Sequence, residues 1–232
     1  MAISVEIDVQ SGFCGGVIRA IGKAEDFLET NEGKCLYSLG AIVHNEAELA
    51  RLGKKGLIAI DREDMEEISN AKGETLLIRA HGEPPETYVA ARNLGFTIID
   101  CTCPVVLKLQ QSIKMAYTRL HADGKNGQVI ISGKIGHAEV IGLLGQVGGD
   151  ALVIENKAMF NKAIEDGLIK LDGPIEIFSQ TTKSPTEYAE ICSELQRLAT
   201  GTVNVNNTIC IQVASRYAQL SEFAMTHDVI IF

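Results

Sequence analysis

Residues 75–104 read TLLIRAHGEPPETYVAARNLGFTIIDCTCP, and this stretch decides the fold. Thr75–Arg79 is a short aliphatic run of strand length. Pro85–Leu94 opens on proline, which the first turn of a helix tolerates, and continues as a helical pattern. Phe96–Asp100 is a second strand, rich in β-branched and aromatic residues. A strand, a helix and a strand in so short a span make one βαβ unit with parallel strands.

The rhythm continues outward. Upstream, the expected strands are Ala2–Val9, Cys35–Leu39 and Gly56–Ile60. Between them lie the helices Gly15–Thr30, Glu46–Leu52 and Arg62–Ser69. Val17, Ile21, Ala24 and Leu28 share one stripe of the first helix. Downstream, the strands are Gln128–Ser132, Ala151–Ile154, Glu176–Ser179, Thr202–Val205 and Asp228–Phe232. The helices are Pro104–Ala122, Val140–Val147, Lys157–Asp166, Thr186–Leu198 and Ser215–Met225. This alternation means an α/β protein of small repeated parallel-sheet layers rather than one barrel. Boundaries fall near Asp100 and Thr200.

Composition narrows the function. The chain has 232 residues, 46% hydrophobic and 22% charged, with a net charge of −9. Such acidity disfavours binding driven by nucleic-acid phosphates. No apolar run approaches the roughly 20 residues that cross a bilayer. Met1–Gln10 alternates apolar and acidic residues and lacks the basic start and apolar block of a secretory signal, so a cytoplasmic location is expected. Six cysteines are too few for a disulfide scaffold. No Walker loop, no Gly-x-Gly-x-x-Gly after the first strand, no Cys-x-x-Cys and no Gly-x-Ser-x-Gly elbow is present.

The conspicuous polar residues cluster just after expected strands. Cys14 follows the first, His44 the second, and His81 follows Thr75–Arg79. Cys101 and Cys103 follow Phe96–Asp100, His137 and Glu139 follow Gln128–Ser132, and Thr181 and Thr182 follow Glu176–Ser179. If the strands run one way, these groups converge at one end of the sheets. Cys14, Cys103 and Cys210 each stand at a helix entrance, where the helix dipole favours a thiolate. Together they look like one ligand from each of three units, and soft thiolates select iron–sulfur clusters, zinc or copper. Taken singly, each reads more simply as a buried apolar residue, and only the recurrence of the position favours ligands. Cys35 and Cys192 read as core, Cys101 is left out of the ligand set because alternate residues of an extended chain face opposite ways, and His121 and His227 read as structural or surface residues. His44, His81 and His137 suit zinc or an anion such as diphosphate. Glu139 suits a proton donor, or a residue favoured by a helix dipole. Thr181 and Thr182 read most simply as helix caps.

The ordered set Gly12-Phe13-Cys14-Gly15-Gly16-Val17, Val43-His44-Asn45, Arg79-Ala80-His81-Gly82, Asp100-Cys101-Thr102-Cys103-Pro104, Gly136-His137-Ala138-Glu139, Ser179-Gln180-Thr181-Thr182 and Thr208-Ile209-Cys210 resembles the LytB/IspH family of 4-hydroxy-3-methylbut-2-enyl diphosphate reductases. The likeness runs from about Ser11 to the end. It implies three small parallel-sheet α/β units around a central iron–sulfur site: residues 1–100, 101–199, and an incomplete third over 200–232. Cys14, Cys103 and Cys210 would bind one 4Fe–4S cluster with one open iron site. His44, His81 and His137 would surround the diphosphate, Thr181 would orient the substrate hydroxyl, and Glu139 would deliver the proton. The implied reaction is reductive dehydroxylation of an allylic diphosphate to isopentenyl and dimethylallyl diphosphate. Ferredoxin or flavodoxin would supply the electrons.

Two departures are visible. After Cys210 the chain reads Ile211-Gln212-Val213-Ala214-Ser215-Arg216-Tyr217, where the family usually has an Ala-Thr pair and then Arg-Gln. The family's Ser-Ser-Asn loop and a later serine would fall beyond Phe232, so a C-terminally truncated chain is expected. The alternatives are an inactive remnant that binds cluster or diphosphate, and a zinc hydrolase built on the histidines and Glu139.

Overall fold

The computed structural model describes residues 4–9, 11–68, 73–122 and 126–231. The first half runs α1 (Gly15–Thr30), β1 (Leu36–Leu39), α2 (Glu46–Lys55), β2 (Leu57–Ile60), α3 (Asp64–Ile68), β3 (Thr75–Ile78), α4 (Pro85–Asn93) and β4 (Thr97–Asp100). The second runs α5 (Pro104–His121), β5 (Gln128–Ser132), α6 (Ala138–Gly145), β6 (Leu152–Ile154), α7 (Lys157–Glu165), β7 (Ile175–Ser179), α8 (Pro185–Leu198), β8 (Val203–Asn206) and α9 (Ile211–Met225).

The strands form two parallel four-stranded sheets of the same topology, β2-β1-β3-β4 and β6-β5-β7-β8. Register sets Leu36 opposite both Leu57 and Thr75, and Ser132 opposite both Ile154 and Ser179. Every strand-to-strand connection carries a helix, as parallel pairing requires.

Local chemistry sets the element ends. Asn45 caps α2 by accepting a hydrogen bond from the Glu48 N–H, with Glu46 and Glu48 in the first turn and Lys54 and Lys55 in the last. Those charges complement the helix dipole. The helix stops at Gly56, whose φ of 112° suits glycine, and a Cβ there would press 3.1 Å from the Lys34 carbonyl oxygen.

Alternating strand residues feed two cores per sheet. Leu36 and Leu77 pack with Ala20, Ala24 and Leu28 of α1, while Leu76 and Ile78 pack on the other face with Ala91 and Phe96. In the second sheet Ile130, Ile175 and Ile177 meet Phe160, Ile191 and Leu195, and Val129, Ile131 and Phe178 meet Leu109, Ile113 and Leu143. Phe160 is fully buried. Phe160→Ala is expected to cost about 3–5 kcal/mol in chemical denaturation, the usual range for such a truncation. Cys192 is a buried core residue, as expected; Cys35, also expected in the core, is half-buried; and Cys101 is buried in the first sheet's core.

Three expectations need correction. Residues 4–8 of the expected strand Ala2–Val9 are not in a strand, and Ala2 lies outside the described residues. Residues 228–231 of the expected strand Asp228–Phe232 are likewise not in a strand, and Phe232 lies outside. Both carry alternating apolar residues, yet Val5, Ile7, Val229 and Ile231 are exposed, because neither segment pairs with either sheet. Third, α9 begins at Ile211, directly after Cys210, and not at Ser215.

β8, expected to open the third unit at residue 200, is the fourth strand of the second sheet. Asn204 and Asn206 donate to the buried Glu176 carboxylate on β7 and hold it there. Among the described residues, no helix is long and apolar enough to cross a membrane.

Candidate metal centre and anion pocket

Cys14, Cys103 and Cys210 are the N-cap residues of α1, α5 and α9, and no side-chain hydrogen bond closes any of the three caps. Helix-start N–H groups and the positive end of the dipole therefore bear on all three thiols. A Cβ placed on Gly16 would lie 3.1 Å from the Cys103 sulfur and 3.9 Å from the Cys14 sulfur, so both thiols border that one point. Gly15 stands beside the Gln212 side chain of α9. A cleft of about 450 Å³ separates Gly12–Gly15 from Gln212, Ser215 and Arg216. Arg216 in turn pairs with Asp8 at 3.0 Å and ties α9 to the N-terminal segment. Among the described residues, no three His, Cys, Asp or Glu side chains are close enough to grip a single metal ion. The zinc alternative thus has no ligand set there.

Sheet order explains where the histidines sit. In a doubly wound sheet a crevice opens beyond the carboxyl ends of the two strands where the winding reverses. In the first sheet those strands are β1 and β3, and His44 and His81 follow them. In the second they are β5 and β7, followed by His137, Glu139 and Thr181. The two crevices face each other. The rings of His81 and His137 have centroids 5.3 Å apart, and those of His44 and His81 are 6.4 Å apart.

Burial pushes the His81 pKa down to about 4, with further depression from Arg79, His137 and His44. Its Nδ1 is buried without a hydrogen-bond partner. His137 is lowered as well, by burial first and then by Arg79, His44 and Lys134. His137 also caps α6, its Nδ1 accepting from the Glu139 N–H at 3.1 Å. A neutral ring in that role carries its proton on Nε2.

Glu139 is 1% exposed. Its Oε1 accepts from the Thr181 N–H and its Oε2 from the Thr181 hydroxyl, both at 2.7 Å. Burial raises the carboxyl pKa, and the two bonds from Thr181 oppose the rise without reversing it. The Thr181 carbonyl accepts from the Cys210 N–H at 2.9 Å. Thr181 is therefore no helix cap. Neither is Thr182, whose hydroxyl accepts from Gln180, and Ser184 caps α8 by accepting from the Glu187 N–H.

Three residues escaped the sequence reading as parts of the site. Gln180 accepts from the Lys134 N–H at 2.9 Å and so steadies the loop that leads to His137. Thr208 both accepts from the Ser179 N–H and donates to the Ser179 carbonyl, locking the approach to Cys210. Arg79 reaches back to the Ala41 carbonyl beneath the turn before His44. Each lies inside a quoted motif, which was the available signal.

Comparison with known proteins agrees with this geometry. The family model described as LytB protein matches residues 5–232. A Bacteroides thetaiotaomicron protein named 4-hydroxy-3-methylbut-2-enyl diphosphate reductase is 49% identical over 232 residues, covering 99% of this chain and 76% of its own. A Porphyromonas gingivalis protein of that name is 47% identical, with the same coverage. The solved E-1-hydroxy-2-methyl-but-2-enyl-4-diphosphate reductase from Plasmodium falciparum superposes with a TM-score of 0.79 at 27% identity, over 94% of this chain. This chain spans 64% of that structure's length. A second solved structure, (E)-4-hydroxy-3-methyl-but-2-enyl diphosphate reductase, gives 0.72 at 32% identity over 94% of this chain and 72% of its own. With nearly every described residue inside the match and the motif residues gathered at facing sheet crevices, the chain belongs to the LytB family.

Proposed function

We propose that this chain is an iron–sulfur reductase acting on 4-hydroxy-3-methylbut-2-enyl diphosphate. Two electrons and two protons remove the hydroxyl as water and leave isopentenyl or dimethylallyl diphosphate. The observation that carries this reading is the position of Thr181: one residue hydrogen-bonds the Glu139 carboxyl with its hydroxyl and N–H, and the Cys210 N–H with its carbonyl. A proton source and a thiolate ligand are thereby fixed to each other.

The donor set fits a 4Fe–4S cluster. Cys14, Cys103 and Cys210 would hold it, each from a different helix start. A four-iron cube carries its thiolates on separate corners, farther apart than one ion of short Zn–S bonds would allow. Gly16 keeps clear the space beside Cys103 that any side chain would fill. When bound, such a cluster supplies electrons and an open iron as Lewis acid for the substrate hydroxyl.

The remaining tasks fall to the chain. His44, His81 and His137 present ring N–H groups to the diphosphate. Thr181 orients the hydroxyl oxygen. Glu139, held protonated more readily than an exposed carboxyl, donates the proton. Ferredoxin or flavodoxin is the electron donor that this reading assigns.

Anaerobic reconstitution with iron and sulfide, followed by turnover with a reduced dye, tests the assignment. We expect a brown protein that consumes the allylic diphosphate. An iron-loaded chain without turnover overturns the catalytic reading and leaves a cluster-binding remnant.

A further inference from the structure

We propose that the exposed face shared by α1 and α5 is the docking surface for an acidic electron-carrier protein. The 18 residues of α5 include Lys108, Lys114 and Arg119 and no Asp or Glu, in a chain whose net charge is −9. One side of the helix is buried through Val106, Leu109, Ile113, Ala116 and Leu120. The opposite side carries Val105, Lys108, Lys114 and Met115, all exposed, with Val105 at 41% and Met115 at 57%. Arg119, farther along, is already paired with Glu176 at 3.0 Å and is left out of the surface. The first helix extends this face. Gly16 abuts Cys103, so α1 and α5 start side by side. Arg19 and Lys23 stand one and two turns beyond Gly16 on the same side of α1. Lys23 Nζ donates to the Asp100 carbonyl at 2.9 Å, three residues before Cys103. Arg19 is exposed, and Ile18 beside it is 58% exposed.

Among the described residues, no carboxylate forms an ion pair with Arg19, Lys23, Lys108 or Lys114. The Asp100 carboxylate accepts from the Thr102 N–H and hydroxyl. Cations of one sign set among exposed aliphatic side chains make a face that steers and then holds a protein of opposite charge. The acidity of the whole chain repels nucleic-acid phosphates, and the aliphatic residues add nothing to phosphate binding. Position selects the kind of protein. Lys108 lies five residues along α5 from Cys103, and Arg19 five along α1 from Cys14. Each is roughly 8 Å of helix rise from its thiol. A carrier seated here has its redox centre close to two of the proposed cluster ligands. The inference rests on the reductase reading, which consumes two electrons per turnover; reduced carrier molecules give them up and leave oxidised.

The test is NMR chemical-shift mapping on the full chain, labelled with nitrogen-15, with an acidic flavodoxin as the probe. The wild type is compared with the double variant Lys108→Glu, Lys114→Glu. At low salt the probe is expected to shift the backbone signals around Arg19, Lys108 and Met115. Salt near 1 M is expected to abolish those shifts, since it screens charges beyond about 3 Å. The double variant is expected to bind about tenfold more weakly, the low end of what electrostatic steering supplies. Its thermal melt is expected to match the wild type, because both positions are exposed. Lys162→Glu, on α7 across the second sheet from α5, is the control that binds as the wild type does. In the reconstituted protein, flavodoxin-driven turnover is expected to fall with binding in the double variant, while turnover with a small reduced dye stays the same. Shifts that map elsewhere, or a double variant that binds as tightly as the wild type, overturn the inference. So does a single-stranded oligonucleotide that moves these signals while flavodoxin moves none. If flavodoxin binds this face and the loaded chain shows no turnover with the reduced dye, the docking surface stands and the reductase reading fails instead.

Discussion

Cys103→Ser is expected to abolish cluster retention, taking the brown chromophore and turnover to background, while leaving the fold intact. The physical case is specific to the helix start. Cys103 is the N-cap of α5, and no side chain closes that cap. Serine is among the better N-cap residues, and its oxygen accepts from the N–H groups of the first turn. The substitution therefore favours α5 by up to about 1 kcal/mol in the metal-free protein while removing a soft thiolate that iron requires. Loss of iron in a variant whose metal-free melting temperature is unchanged or raised cannot be blamed on unfolding. Cys14→Ser and Cys210→Ser share the N-cap position and the expected result. Cys35→Ser, away from any helix start, is the control that retains iron. Iron content, visible absorption and a thermal melt check all four.

Glu139→Gln is expected to lower kcat by about 10²–10⁴-fold, the range for loss of a positioned proton donor, with KM little changed. Glutamine keeps the shape and the bond from the Thr181 N–H, so the site stays assembled. Stability moves the other way with pH. Burial raises the carboxyl pKa above its ordinary value, so the folded state holds a proton that the unfolded chain releases more easily. Below the ordinary carboxylate range both states are protonated and the raised pKa costs nothing. As pH rises through that range the wild type loses stability relative to a neutral glutamine. The variant's advantage in denaturant midpoint is therefore expected to be small near pH 4 and larger at pH 7. An advantage that shrinks with rising pH means that the bonds from Thr181, not burial, dominate Glu139.

Much of this was readable from the chain because it is local. A run such as Thr75–Ile78 followed by Pro85 leaves little choice but strand and helix start, and α1 and β5 fall where the pattern puts them. Cys14 and Cys103 declare themselves by the glycines and proline of the adjacent helix starts. What escaped was non-local. Residues 4–8 and 228–231 have strand-like alternation, but alternation records which side chains seek burial, not whether a partner strand exists. Val203–Asn206 pairs with β7 in the second sheet, where Asn204 and Asn206 meet Glu176, a contact nearly thirty residues away in sequence. Thr181 looked like a cap because Ser, Thr and Pro crowd that turn, and only the packing of α6 against it reveals the Glu139 carboxyl as its partner. Arg79 drew no notice as an ordinary strand-end residue, and only the glycine turn above its guanidinium marks it out.

The convergence of three helix-start thiols on one cluster is tested most directly by Mössbauer spectroscopy of the anaerobically reconstituted, iron-57-labelled chain. The expected spectrum is that of a four-iron cluster with one iron set apart from the other three, its signal moving when the allylic diphosphate is added. A spectrum of four equivalent sulfur-ligated irons that ignores the substrate, or one unchanged when Cys14, Cys103 and Cys210 are all serine, contradicts the account.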